Sequence, residues 1–118
     1  MTTKEQALLA ADAASEKKAM DITILDLQGI SLVADYFIIC SGSSDIQVRA
    51  IAQTVEERME EKEIFFKQKE GYDDARWILI DYADLVVHIF QQQERDYYQL
   101  ERLWADASEV SYQQIANS

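Results

Sequence analysis

Asp35-Tyr36-Phe37-Ile38-Ile39-Cys40-Ser41-Gly42-Ser43-Ser44-Asp45-Ile46-Gln47 decides the fold. Tyr36–Cys40 is apolar without alternation, the pattern of an interior strand covered on both faces. Ser41-Gly42-Ser43-Ser44 then turns the chain, and Ser44-Asp45-Ile46-Gln47 fits a capping box at a helix start. Val48, Ile51, Ala52, Val55 and Met59 follow at the spacing of one helical stripe, so a helix runs to about Glu61. A buried strand feeding an amphipathic helix belongs to a sheet with helices packed on it.

Working outward, Thr3-Lys4-Glu5-Gln6 matches another capping box. An Ala- and Leu-rich helix is expected over about residues 4–18, with Lys17 and Lys18 at its negative end. Asp21–Leu27 is β-branched and stops at Gln28-Gly29, as a strand does. Ile64–Gln68 reads as a short strand and Glu70–Arg76 as a polar loop holding Gly71. Trp77–Tyr82 and Leu85–Phe90 are strands joined at Ala83-Asp84, a hairpin. A two-residue turn puts Ile78, Ile80, Tyr82, Leu85, Val87 and Ile89 on one face. Trp77, Leu79, Asp81, Val86, His88 and Phe90 fall on the other. The first set is almost wholly apolar and should meet helices. The second is either a partner surface or another covered face. Asp96–Asp106 reads as a helix with Tyr97, Leu100 and Trp104 on one side. Beyond Ala107 the pattern weakens, and 107–118 is expected to be a loosely ordered tail. The expected fold class is α/β (α+β): one mixed sheet flanked by helices, in a single domain spanning 1–118.

The 118 residues hold 22 acidic and 11 basic side chains, a net charge of −11. Such a surface repels phosphate backbones and suits a basic protein partner, although solubility alone also favours acidic charge. At 48% hydrophobic and 28% charged, the composition is that of a globular chain rather than a disordered one. One Cys and one His leave no disulfide framework and no Cys-rich zinc site. No apolar run is long enough to span a membrane and no signal-peptide core opens the chain, so a cytoplasmic location is expected.

Three features invite a chemical reading. The Ser41–Ser44 turn leads into a helix N-terminus, so it is either an anion cradle or simple capping. A nucleotidyltransferase would add an Asp-x-Asp pair to hold Mg²⁺. The carboxylates here, Asp81 and Asp84, flank a turn and cannot project from one face of one strand. His88 has no Gly-x-Ser-x-Gly elbow to serve, and Cys40 lies inside an apolar strand. Trp77, Tyr82, Tyr97, Tyr98 and Trp104 are either core or interface anchors, with Asp81, Asp84, Glu94 and Glu101 close by in sequence.

Several ordered blocks carry a resemblance. They are Asp35–Ser44, Glu70-Gly71, Trp77-Ile78-Leu79-Ile80-Asp81-Tyr82, Val86-Val87-His88-Ile89-Phe90, and Arg95 with Tyr98-x-Leu100-Glu101-Arg102-Leu103-Trp104. Over about residues 4–107 the chain resembles the ribosomal silencing factors, the Iojap-related proteins. It departs at Ala83, where that family carries Gly in Tyr-Gly-Asp. The resemblance implies a nucleotidyltransferase-like fold without catalytic carboxylates, and no cofactor. It implies docking on the large ribosomal subunit through its basic protein number fourteen. The bound factor then sterically blocks the small subunit and lowers translation when nutrients are scarce. A homodimer is implied for the free protein. The residues expected to meet the partner are Trp77, Leu79, Asp81, Tyr82, Asp84, His88, Tyr98 and Glu101. The alternatives are a large-subunit assembly factor, or a small nucleotide-binding enzyme using Ser41–Ser44.

Overall fold

The computed structural model describes residues 1–111. Along the chain run α1 (Thr3–Glu16), β1 (Met20–Asp26), β2 (Tyr36–Gly42), α2 (Asp45–Glu60), β3 (Gln68–Glu70), β4 (Trp77–Asp81), β5 (Leu85–Gln91), α3 (Gln92–Tyr98), α4 (Leu100–Leu103) and β6 (Ser108–Val110). The strands form one six-stranded sheet in the order β3-β4-β5-β2-β1-β6. β2 and β5 are parallel and the other neighbours antiparallel, so the sheet is mixed. Every residue of β2 is buried, as its unbroken apolar run requires of a central strand.

α1 and α2 cover one face. The α2 stripe Val48, Ile51, Ala52, Val55 and Met59 is wholly buried against Ile24, Ile38, Ile78, Ile80, Val87 and Ile89. The α1 alanines at 7, 10, 11 and 14 let that helix approach closely. On the other face Leu25, Leu27, Phe37, Ile39, Val86 and Phe90 form a second cluster, partly roofed by Leu100, Trp104 and Ala107. The β4–β5 hairpin pairs Trp77 with Phe90 and Asp81 with Val86, the register a two-residue turn demands. Alternation therefore assigns its two faces correctly, and both carry apolar packing.

Five expectations are corrected. The first helix is capped by Thr2, not Thr3: the Thr2 hydroxyl accepts from Glu5 N–H, and the Glu5 carboxylate accepts from Thr2 N–H. Glutamate one position nearer than Gln6 closes the reciprocal box. Lys17 and Lys18 lie past the end of that helix. The third strand is Gln68–Glu70, not Ile64–Gln68. Ile64 and Phe66 pack on the helix-side core and Phe65 points outward, so that stretch is tied by side chains rather than by a ladder.

The helix expected over Asp96–Asp106 starts earlier and breaks at Gln99, which is left-handed (φ 45°, ψ 52°). Arg95 spans the break to reach Glu101, and Tyr97 is exposed rather than sharing a packed side with Leu100 and Trp104. The tail expected from Ala107 supplies β6, which pairs with Ile24–Asp26. The remainder of that tail, 112–118, falls outside the described residues.

Candidate functional site

The roof on the second face does not reach its β4 end. There Trp77, Leu79 and Asp81 project in alternation from β4, each half-buried. The Trp77 indole stacks on Phe90 with ring centres 4.8 Å apart and packs against Tyr98 at 4.9 Å. Its Nε1–H donates to Nδ1 of His88 at 3.1 Å. An indole N–H only donates, so Nδ1 must accept and the imidazole proton rests on Nε2. His88 is 4% exposed and lies edge-on to Phe37 at 4.6 Å. Burial pushes its pKa down to about 4, which keeps the ring neutral. Nε2 is buried and finds no hydrogen-bond partner among the described residues.

A groove of about 220 Å³ opens beside Trp77, lined also by Leu79, Glu70 and Gly71. Gly71 is what lets the backbone fold back here. Its φ is +82°, and a Cβ at this position would come within 2.0 Å of the Trp77 carbonyl oxygen. Only glycine fits, which gives the Glu70-Gly71 block its physical reason.

At the hairpin turn the Asp81 carboxylate accepts from Ala83 N–H at 2.7 Å. Ala83 has φ +76°, and Asp84 N–H closes onto the Tyr82 carbonyl at 3.1 Å, a γ-turn around a left-handed alanine. Asp84 is exposed. Tyr98 is half exposed on the far side of Trp77, and Glu101 is ion-paired with Arg95 at 2.7 Å.

Trp77, Leu79, Asp81 and Tyr98 thus flank one surface, with His88 beneath it and Asp84 at its turn. Tyr82 is buried on the opposite, helix-covered face, where burial and the nearby Glu56 and Glu60 raise its pKa. Tyr82 and His88 accordingly offer no side-chain surface to a partner.

Sequence reasoning missed Phe37, Gly71 and Arg95 as parts of this site. Alternation already places Phe90 on the Trp77 face. Arg95 had no local signal. It is 8% exposed and holds Glu101, the Asp21 carbonyl at 2.7 Å and the Ser41 hydroxyl at 2.9 Å. It thereby fastens α3 to the start of β1 and the end of β2.

The Ser41–Ser44 turn is filled by its own helix. Ser43 N–H and Oγ donate to Gln47 Oε1 at 2.6 and 2.9 Å, and Gln47 N–H donates to Ser44 Oγ at 3.1 Å. Gln47 Nε2 donates in turn to the carbonyls of Lys17 and Lys18, tying α2 to the end of α1. These bonds engage the Ser43 and Gln47 donors within the turn itself. The Cys40 thiol is fully buried and pushed up to about 12 by burial, which leaves it unreactive. Among the described residues no helix is long and apolar enough to cross a membrane. Nor does any group of three or more His, Cys, Asp or Glu side chains there suit a metal ion.

The fold is shared with known proteins. A ribosomal silencing factor of Bacillus subtilis is 52% identical over 107 residues, covering 91% of each chain. One from Halalkalibacterium halodurans is 46% identical over 115 residues, covering 98% of each chain. A crystal structure of a Chromobacterium violaceum protein superposes with a TM-score of 0.87 at 31% identity, covering all of this chain and 98% of that one. The family described as "Ribosomal silencing factor during starvation" matches residues 1–118. Matched by that family over its whole length, and at these identities to two of its members, the chain belongs to the ribosomal silencing factor family.

Proposed function

We propose that this protein represses translation by binding the large ribosomal subunit through that subunit's basic protein number fourteen. The bound protein blocks joining of the small subunit, in the cytoplasm and under nutrient limitation. The mechanism is steric and needs no catalysis or cofactor. The observation that carries this reading is the β4 flank, where Trp77 and Leu79 border a groove with Glu70 and Gly71, Asp81 follows on the same face, and Asp84 is exposed at the turn. Aromatic and aliphatic anchors with a carboxylate rim fit a basic protein surface, and a net charge of −11 fits bare RNA poorly. Trp77, Leu79, Asp81, Asp84 and Tyr98 make the contact. His88 sets the Trp77 ring from below, and Glu101 acts through Arg95. The free protein pairs with a second copy of itself.

Co-sedimentation with purified subunits tests this. The protein is expected to pellet with large and not with small subunits, and to lower the yield of joined ribosomes. Pelleting with small subunits alone, or with neither, overturns it. Binding to large subunits without any effect on joining favours an assembly role instead.

A further inference from the structure

We propose that the end of the sheet where β1 turns into β2 is a second contact for a Lys- and Arg-rich protein surface, with Leu32 and Val33 as its apolar point; this rests on the reading that the chain docks on a basic protein.

Ile30, Leu32 and Val33 are exposed within four residues, Leu32 completely and Val33 at 74%. Single exposed apolar residues are ordinary, but three on one loop mark a contact. The loop is built, not frayed. Ile30 and Ser31 N–H donate to the Leu27 carbonyl at 3.0 and 2.9 Å, and Leu27 N–H donates to the Asp35 carbonyl at 2.7 Å. Val33 N–H donates to Ser31 Oγ and Gln28 N–H to Asp26 Oδ1, both at 3.0 Å. A loop held this way presents Leu32 with little ordering left to lose on binding.

The loop is also joined to the hairpin turn. The N–H groups of Asp35 and Tyr36 both donate to the Asp84 carbonyl, at 2.8 and 3.0 Å. Asp26, Asp35, Asp81 and Asp84 therefore gather at this end. The stretches that supply them, 19–48 and 77–94, contain no Lys or Arg. Lys67 adjoins them through its N–H on the Asp81 carbonyl. Leu27 and Ala34, at the base of the loop, pack in the same apolar cluster as Trp77 and Leu79. The loop thus continues the β4 flank. An apolar point among carboxylates is repelled by anionic lipid and by RNA, and is attracted to a basic protein.

The test compares wild type, the double variant Leu32→Ser/Val33→Ser, and Asp84→Lys for affinity to purified large subunits at low and high salt. The double variant is expected to bind about tenfold more weakly with its melting temperature within about two degrees of wild type. Asp84→Lys is expected to associate more slowly at low salt and to match wild type at high salt. If wild type binds and the double variant binds equally well, this inference falls and the silencing reading stands. If wild type does not bind, the silencing reading falls and takes this inference with it. An effect confined to self-association in light scattering, or to flotation with phosphatidylserine vesicles, overturns it in favour of a second copy or a membrane.

Discussion

The indole N–H of Trp77 donates to Nδ1 of His88 at 3.1 Å, so a half-buried tryptophan and a buried histidine form one unit. The ring that borders the groove is held in place by a side chain buried beneath it. If Trp77 docks as proposed, binding and stability are entangled at this position, and a single alanine substitution reports on both.

Trp77→Phe is expected to keep the stacking on Phe90 while leaving Nδ1 of His88 without a donor. The cost is about 1–3 kcal/mol of stability, read from urea denaturation. Trp77→Ala removes the stack as well and should also weaken large-subunit binding by roughly thirtyfold, as loss of an interface anchor does. Unchanged stability in Trp77→Phe would show that the hydrogen bond contributes nothing.

His88 sets an acid sensitivity. Its ordinary pKa of 6.5 falls to about 4 in the fold. As the pH drops from about 6.5 towards 4, the unfolded chain takes up this proton and the folded one does not. Stability therefore falls through that window and levels off below it, by about 3 kcal/mol in total. Glu5, held low by its bonds to Thr2, contributes its own loss only below the normal carboxylate range near 4.5. Denaturation curves between pH 7 and 4.5 should show the slope in wild type and its loss in His88→Gln.

Gly71→Ala is expected to be far more damaging than Gly29→Ala. Both glycines are left-handed, at φ +82° and +79°, but a Cβ at Gly29 meets nothing within 4 Å. Gly29→Ala should cost about 1–2 kcal/mol, the left-handed penalty alone. At Gly71 the Trp77 carbonyl must move as well. The loss should exceed that of Gly29→Ala, and the tryptophan fluorescence of the folded protein should shift.

Arg95→Met is expected to cost about 3–5 kcal/mol, because Glu101 loses its partner and the Asp21 carbonyl and Ser41 hydroxyl lose a donor. Arg95→Lys should recover little of this, since an ammonium cannot reproduce the guanidinium fork. Thermal unfolding of both variants checks it. Near-complete rescue by lysine would reduce Arg95 to a simple charge.

The stretch from Tyr36 to Met59 is legible in the sequence because its signals are local: a continuous apolar run, a Ser-rich turn and a helical stripe. The hairpin faces are legible because alternation is strict once the turn length is right. The turn itself fits that length only because Ala83 accepts a left-handed backbone. What is illegible depends on distant partners. The break at Gln99 is compensated by Arg95 reaching Glu101 and, beyond it, β1 and β2. β6 is three residues with no pattern of their own, made a strand by pairing with β1. The site divides likewise. Alternation groups Trp77, Leu79 and Asp81, but the burial of His88 comes from Phe37 on another strand, and that of Tyr82 from the helices across the sheet.

That late partner of β1 has a consequence for biogenesis. Ile24, Leu25 and Asp26 are translated early, and Val110, Glu109 and Ser108 close their outer edge only after nearly all the described chain has emerged. Until then the growing polypeptide displays an open β-edge next to Ile22 and Ile24, a template for pairing with neighbouring nascent chains. Premature termination or proteolytic loss before Ser108 would make that exposure permanent. Such fragments should aggregate even where the rest of the sheet has formed.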